Sequence, residues 1–434
     1  MTRIINEIND YLKRLFPINR SITGDGNRKT LSILQEIAPI QIKEYPSGTS
    51  VYDWVIPDEW NVNEAWIKDS KGEKVVDFSK NNIHLVSYSS PLHEKMSFEK
   101  LKYNLHYLEN LPDAVPYRTS YYKKNWGFCV NQSQYKILSN IKDHIEVKID
   151  SKFNPQGSMT IGELIIPGEI EQEILISTYL CHPSVANDNL SGTLMTAFLA
   201  RELLNTKKLN RSYRIIWVPE TIGAIAYCAM NENDMKRIKT GLVVSTVGGP
   251  GKYGYKQSSN QDSSVNAVIE EVFKEGNIDY HKYPFDIHGS DERQYSTQGF
   301  RINTASITKD KYYEYPYYHT SLDNLDYIDA KFIYSSLNIH HKVLEKLNSE
   351  PVYKNNYPNC EVMLSKHELY PSFGGAQMPN KNNYTDLDIV LWLLWLCDGD
   401  TGIYEIKHKL GIDTSSLNNT IRLLENKKII NRVC

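Results

Sequence analysis

The sequence predicts an α/β fold: a mostly parallel sheet sandwiched by helices, with an inserted small β-rich domain and a C-terminal winged helix. Three observations predict it. From about 121 to 347, short apolar runs alternate with segments of helical period, the pattern of strands connected by covering helices. Between about 45 and 116 this gives way to short β-like runs separated by Pro, Gly, Asn and Asp, which reads as a separate β unit. From Asp386 onward the chain reads as three short helices and a strand, the order of a winged helix-turn-helix.

Taken in order, the opening MTRIINEINDYLKRLF places Ile4, Ile5, Ile8, Leu12 and Leu15 at helical spacing. A Gly24-Asp25-Gly26 turn precedes a second expected helix over 28–37. The runs VYDWVI, EAWIKD, VVDF and IHLVSY are expected strands of the inserted domain, with one helical patch near 98–108. In the α/β part the expected strands are IEVKI, GELIIP, ILISTYL, YRIIWV, GLVVSTV and INTASI, and the expected helices 189–205, 221–230, 263–275 and 329–347. Asn189 or Ser191 would cap the first of these helices. The tail offers helices over 386–396, 403–410 and 415–426, then KKIINRVC as a strand. The expected division is an α/β domain over 1–45 and 117–350, an insertion over 46–116, an extended connector over 351–383 and a winged helix over 384–434.

Composition narrows the function classes. A chain of 434 residues with 41% hydrophobic and 23% charged residues is globular. A net charge of −3 gives no general attraction to nucleic acid or an anionic membrane. Six cysteines without paired spacing argue against a disulfide framework or a cysteine zinc site and read as reduced thiols of a cytoplasmic protein. The best apolar run, 389–396, is far short of the roughly 20 residues a membrane span needs. The N-terminus lacks the uninterrupted apolar core of a signal peptide.

Four polar residues stand where expected strands end. His182 and Asp188 follow ILISTYL, Glu220 follows YRIIWVP, and His319 follows INTASI and a tyrosine-rich loop. The carboxyl edge of a parallel sheet is where such folds bind ligands. Imidazole nitrogen and carboxylate oxygen suit zinc, and a catalytic site needs three protein ligands with one position open. His182, Asp188 and His319 would supply that set, leaving Glu220 to take a proton from the bound water. Any one of the four alone reads more often as a loop or capping residue; together they read as a site.

CHPSVANDNLSG resembles the first metal motif of the zinc aminopeptidase superfamily of the bacterial leucyl-aminopeptidase type, VPETIGAIAY its glutamate element and YYHTSLDN its last histidine motif. GSDERQYSTQGF and the whole layout resemble the aminopeptidase-like bacterial family, often associated with polysaccharide biosynthesis, that adds an inserted domain and a winged helix. The resemblance implies a zinc-peptidase-like fold. It implies His182, Asp188 and His319 as metal ligands and Glu220 as general base. The sequence departs from the two-zinc pattern in two places. Thr221 stands where a second ligating glutamate is expected, and GLVVSTVGGPG carries no carboxylate. One zinc ion is therefore expected.

Asp291, Arg293 and His288 in DIHGSDERQY would orient a ligand, hold an amine or clamp an anion, and Tyr318 with its neighbouring tyrosines would line the pocket. The expected function is a zinc-dependent peptidase or amidohydrolase acting on a small peptide-like or amine-bearing substrate. The alternatives are a non-catalytic zinc- or ligand-binding module and a DNA-binding regulator. Residues 384–434 hold seven acidic against six basic residues, so nucleic acid is disfavoured as a partner of the winged helix; a homo-oligomer is left open.

Overall fold

The computed structural model describes residues 2–370 and 384–433. Its largest sheet has eight strands: β1 (Gln41–Pro46), β2 (Ser158–Ile166), β3 (Ile170–Tyr179), β4 (Arg211–Val218), β5 (Thr240–Val244), β6 (Tyr253–Lys256), β7 (Tyr280–Tyr283) and β8 (Asn303–Lys309). They lie in the order β1-β2-β4-β3-β5-β8-β6-β7. The centre, β4-β3-β5-β8, is parallel, while β1 and β2 add antiparallel strands on one flank and β6 runs antiparallel to β8 on the other.

β4 and the second half of β3 are buried on both faces, which is why ILIS and IIWV read as mostly apolar runs rather than alternating ones. Ile174, Ile176, Ile215 and Trp217 point into a core shared with the helices Thr2–Leu15, Gly192–Leu204, Ser264–Glu275 and Ala330–Ser349. Leu175, Ile216, Val218 and Val243 face the other way, toward the helix Ile222–Met230 and a second sheet.

That second sheet corrects the expected domain division. Its strands, in spatial order, are Lys74–Asp77, Glu59–Lys68, Ile145–Asn154 and Leu92–Met96, all antiparallel. The run IEVKI, expected in the α/β sheet, is therefore a central strand of the β-rich unit, which extends well past residue 116. Its burial alternates residue by residue, the signature of a strand with one solvated face, and this distinguishes IEVKI from ILISTYL. IHLVSY forms a short 3-10 turn over Asn82–His84 instead of a strand, with the Asn81 side chain accepting the Ile83 amide.

The three tail helices are Asp386–Leu396, Ile403–Leu410 and Thr414–Asn426, followed by the strand Ile430–Arg432. The expected connector begins as structure: Val352–Asn355 pairs antiparallel with Asp398–Gly402 and with Ile430–Arg432. Residues 371–383 of that connector lie outside the described residues. The tail is seated on the α/β unit through buried Glu350, whose Oε1 accepts the Ser264 hydroxyl (2.6 Å) and the Tyr404 amide (3.0 Å). Its Oε2 accepts from Arg211 Nη1 at 3.4 Å. No helix among the described residues is long and apolar enough to cross a membrane.

Candidate active site

The four strand-end residues meet at the carboxyl edge of the parallel strands. β3 runs out at Tyr179, and the loop behind it is held from several sides before the helix begins at Gly192. Asn189, expected as a helix cap, instead ties strands together: its amide donates to the Tyr179 carbonyl and its oxygen accepts the Thr246 amide. The buried Arg20 guanidinium donates to the His182 carbonyl at 2.9 Å, fixing the backbone that carries the histidine.

Asp188 is buried, and its Oδ1 accepts the Tyr179 hydroxyl. His182 Nδ1 lies 4.0 Å from Asp188 Oδ1. His319, at φ 55°, swings its ring in from the loop after β8 and brings Nε2 to 3.0 Å from Asp188 Oδ2. All three atoms are buried: His182 Nδ1 has no hydrogen-bond partner, and Asp188 Oδ2 and His319 Nε2 have none outside their contact with each other. His182, Asp188 and His319 each offer a ligand atom within 4.8 Å of the others. Buried polar atoms are rarely left unpaired, so three of them converging forms a nitrogen-nitrogen-oxygen donor set that fits zinc.

The protonation states agree with that use. Burial pushes the His182 imidazole down to about 4, so the ring is neutral. Burial would raise the Asp188 carboxyl, but His182, His319 and the Tyr179 hydroxyl outweigh it and hold it at about 2, so the group is ionised. Neutral imidazole and carboxylate are the forms that bind metal. Cys181, His182 and Glu220 make a second cluster of this kind. Burial pushes the Cys181 thiol well up, and a protonated thiol is a poor ligand.

Glu220 follows β4, and its Oε2 stands 3.8 Å from His182 Nε2. Its Oε1 accepts the Ser290 hydroxyl at 2.8 Å. The side chain keeps 28% exposure. Burial and the Asp188 charge nonetheless push its carboxyl up to about 7, against the lowering effect of the Ser290 bond.

The residues expected to bind substrate are placed unequally. Tyr318 stacks on the His319 ring, with centroids 4.0 Å apart. Asp291 is buried behind Glu220; its Oδ1 accepts the Thr221 amide at 2.7 Å while Oδ2 has no partner. Burial and the Glu220 charge hold the Asp291 carboxyl well above its ordinary range. Arg293 departs from the expected anion clamp: Nε and Nη1 donate to the carbonyls of Ser290 and Ile287, tying its own loop. His288 is exposed and stands outside the metal-type cluster. The chain turns there, because Asp286 accepts the His288 amide and Lys256 holds its carbonyl.

Asp323 was not singled out by the sequence reading, although it lies inside the HTSLDN motif. Its buried carboxylate accepts the backbone amides of Asn187 (2.6 Å) and Asp188 (3.0 Å) and the Tyr315 hydroxyl (2.7 Å). It thus joins the loop of His319 to the loop of Asp188. Tyr117 was also missed; its ring meets His182 at 5.1 Å and His319 at 5.2 Å, and its amide donates to the His319 carbonyl.

Comparison with known proteins agrees with this architecture. A family model described as a domain of unknown function (DUF4910) matches residues 9–350, and a winged helix-turn-helix model matches 351–432. A candidate polysaccharide biosynthesis protein with an aminopeptidase-like domain from Clostridium acetobutylicum is 40% identical, over 94% of this chain and 92% of its own. The crystal structure of a candidate peptidase from the same organism superposes with a TM-score of 0.80 at 38% identity, covering 99% of this chain and 96% of the other. A zinc aminopeptidase from Bacillus subtilis shares the fold at TM-score 0.59 and 14% identity, covering 80% of this chain and 94% of its own. By the extent of the first family model and the near full-length relative, this chain belongs to the DUF4910 family of aminopeptidase-like proteins ending in a winged helix-turn-helix.

Proposed function

We propose that the protein is a zinc-dependent aminopeptidase-like hydrolase that cleaves a peptide or amide bond of a small amine-bearing substrate, with one zinc ion held by His182, Asp188 and His319. The observation that carries this reading is the convergence of three buried donor atoms, hydrogen-bonded to nothing outside their own cluster, beside a carboxylate whose pKa is raised to about 7. A bound zinc ion supplies Lewis-acid polarisation of the scissile carbonyl and makes water more acidic. The names of the fold relatives, zinc aminopeptidases among them, support the choice of metal.

The chain's own residues account for the proton transfers. Glu220 takes the proton of the attacking water and returns it to the leaving amine, a role suited to a group titrating near the working pH. Ser290 orients that carboxylate by donating to Oε1. Tyr318, stacked on His319, forms a wall of the substrate pocket. Thr221 occupies the position of a second ligating glutamate, and the residues after β5 include Ser245 and Thr246 but no carboxylate, which favours one ion over two.

Asp323 acts here through other residues. Asp323→Asn replaces one acceptor of the Asn187 and Asp188 amides with a donor, and it lowers zinc affinity about 10- to 100-fold. Competition against a chelating dye measures this, and an unchanged affinity contradicts the positioning role. The reaction itself is tested with zinc-loaded protein on a panel of aminoacyl and N-acyl amides. Hydrolysis that a chelator abolishes and added zinc restores is the expected result; absence of hydrolysis across the panel favours the non-catalytic binding module.

A further inference from the structure

The hairpin formed by Ser50–Val51 and Trp54–Val55 packs on the Ile222–Met230 helix. Between them lies a cavity of about 190 Å³ whose walls include Tyr52, Trp54, Phe300, Asp53, Gln294 and Thr297. Tyr52 is 55% exposed and Trp54 36%. The Trp54 ring meets Tyr122 edge to face at 5.4 Å, and Tyr52 meets Phe300 at 6.5 Å. Large aromatic rings gathered and left wet mark a binding surface more often than an idle one.

The polar groups narrow the ligand. Among the described residues, the side chains of Asp53 and Gln294 take no hydrogen-bond partner. The Thr297 hydroxyl donates to the Gln294 carbonyl at 2.9 Å and keeps its acceptor capacity. Asp53 is exposed and Gln294 partly buried, so both offer hydrogen bonds to a hydroxylated ligand that an aliphatic side chain would not use. A sugar ring meets both demands: its C–H face is apolar and packs on indole, and its hydroxyl rim donates to carboxylate and pairs with amide. The volume equals that of about six waters at roughly 30 Å³ each, room for one six-membered ring.

The cavity shares a helix with the candidate site. Ile225 and Cys228 line it, on the helix that starts just after Glu220. At 1.5 Å per residue these positions lie roughly 8–12 Å along the axis from Glu220.

We propose that this cavity is a pyranose subsite, and that the bond cleaved belongs to an amide carried on or next to a sugar ring. The second half of this statement rests on the hydrolase reading; the sugar site does not. Saturation-transfer NMR with methyl α-glucopyranoside and with N-acetylglucosamine tests it on the full chain, zinc-loaded and chelated. Saturable binding is expected in both states, weakened at least tenfold by Trp54→Ala and by Gln294→Ala and unchanged by Glu220→Gln. Absence of saturable sugar binding in the wild type overturns the proposal. So does binding that both pocket variants leave intact, or a preference of the cavity for leucine amide over either sugar. Sugar binding without amide hydrolysis refutes the reaction and leaves the subsite standing.

Discussion

Glu220→Gln lowers kcat/KM by about 10²- to 10⁴-fold, the range for losing a positioned general base, while zinc content stays that of the wild type. The substitution keeps size and still offers an oxygen to the Ser290 hydroxyl, so the pocket is preserved. What disappears is the capacity to take a proton. The pH profile separates this from a packing effect. Glu220 titrates near 7 in the metal-free protein because burial and the Asp188 charge disfavour its ionised form. A nearby dication favours the carboxylate, so in the loaded enzyme the acid limb lies below 7. Wild-type activity falls as pH drops through that limb, and the residual activity of the variant loses it. A variant within threefold of the wild type, with the same limb, contradicts the assignment.

The same raised carboxyls have a consequence for the metal-free fold. Glu220 and Asp323 both titrate near 7 when folded, mainly through burial, above the ordinary carboxylate range near 4. The folded state therefore holds protons that the unfolded chain has released. Their stabilising contribution is full below the ordinary value and is lost as pH rises through 7.

His182→Ala abolishes high-affinity zinc binding. Changes to groups behind a ligand cost roughly 10- to 100-fold in affinity, and removing a ligand nitrogen from a three-residue set costs more. Zinc at a thousandfold excess over its Kd stabilises a protein that binds it only when folded by about 4 kcal/mol. Thermal unfolding should show that increment in the wild type and lose it in the variant. A variant that retains both the zinc and the shift would place the metal elsewhere.

The α/β core was legible because short strand-like runs such as ILISTYL, YRIIWV and INTASI alternate with helical segments, the pattern of a parallel sheet covered by helices. IEVKI alternates buried and solvated residues, unlike those runs, and this alternation assigns it to the β-rich unit, which therefore extends past residue 116. Val352–Asn355 was hidden by its length: a strand of this size draws its identity from partners distant in sequence, as do β6 and β7. At the site, His182, Asp188, Glu220 and His319 were readable because each follows a strand. Asp323, Tyr117 and Arg20 were not, since what they do depends on backbone groups brought close only by folding. Arg293 offered the opposite lesson. Its charge suggested a ligand clamp, while the fold commits two of its nitrogens to its own loop.

The most direct test of the central proposal is zinc content per chain, by elemental analysis of the purified full-length protein equilibrated with zinc and freed of excess. One ion per wild-type chain and none in His182→Ala is the expected result. Two ions per chain would contradict the mononuclear site and require a second carboxylate ligand that Thr221 does not supply, and none in the wild type would contradict the metal centre itself.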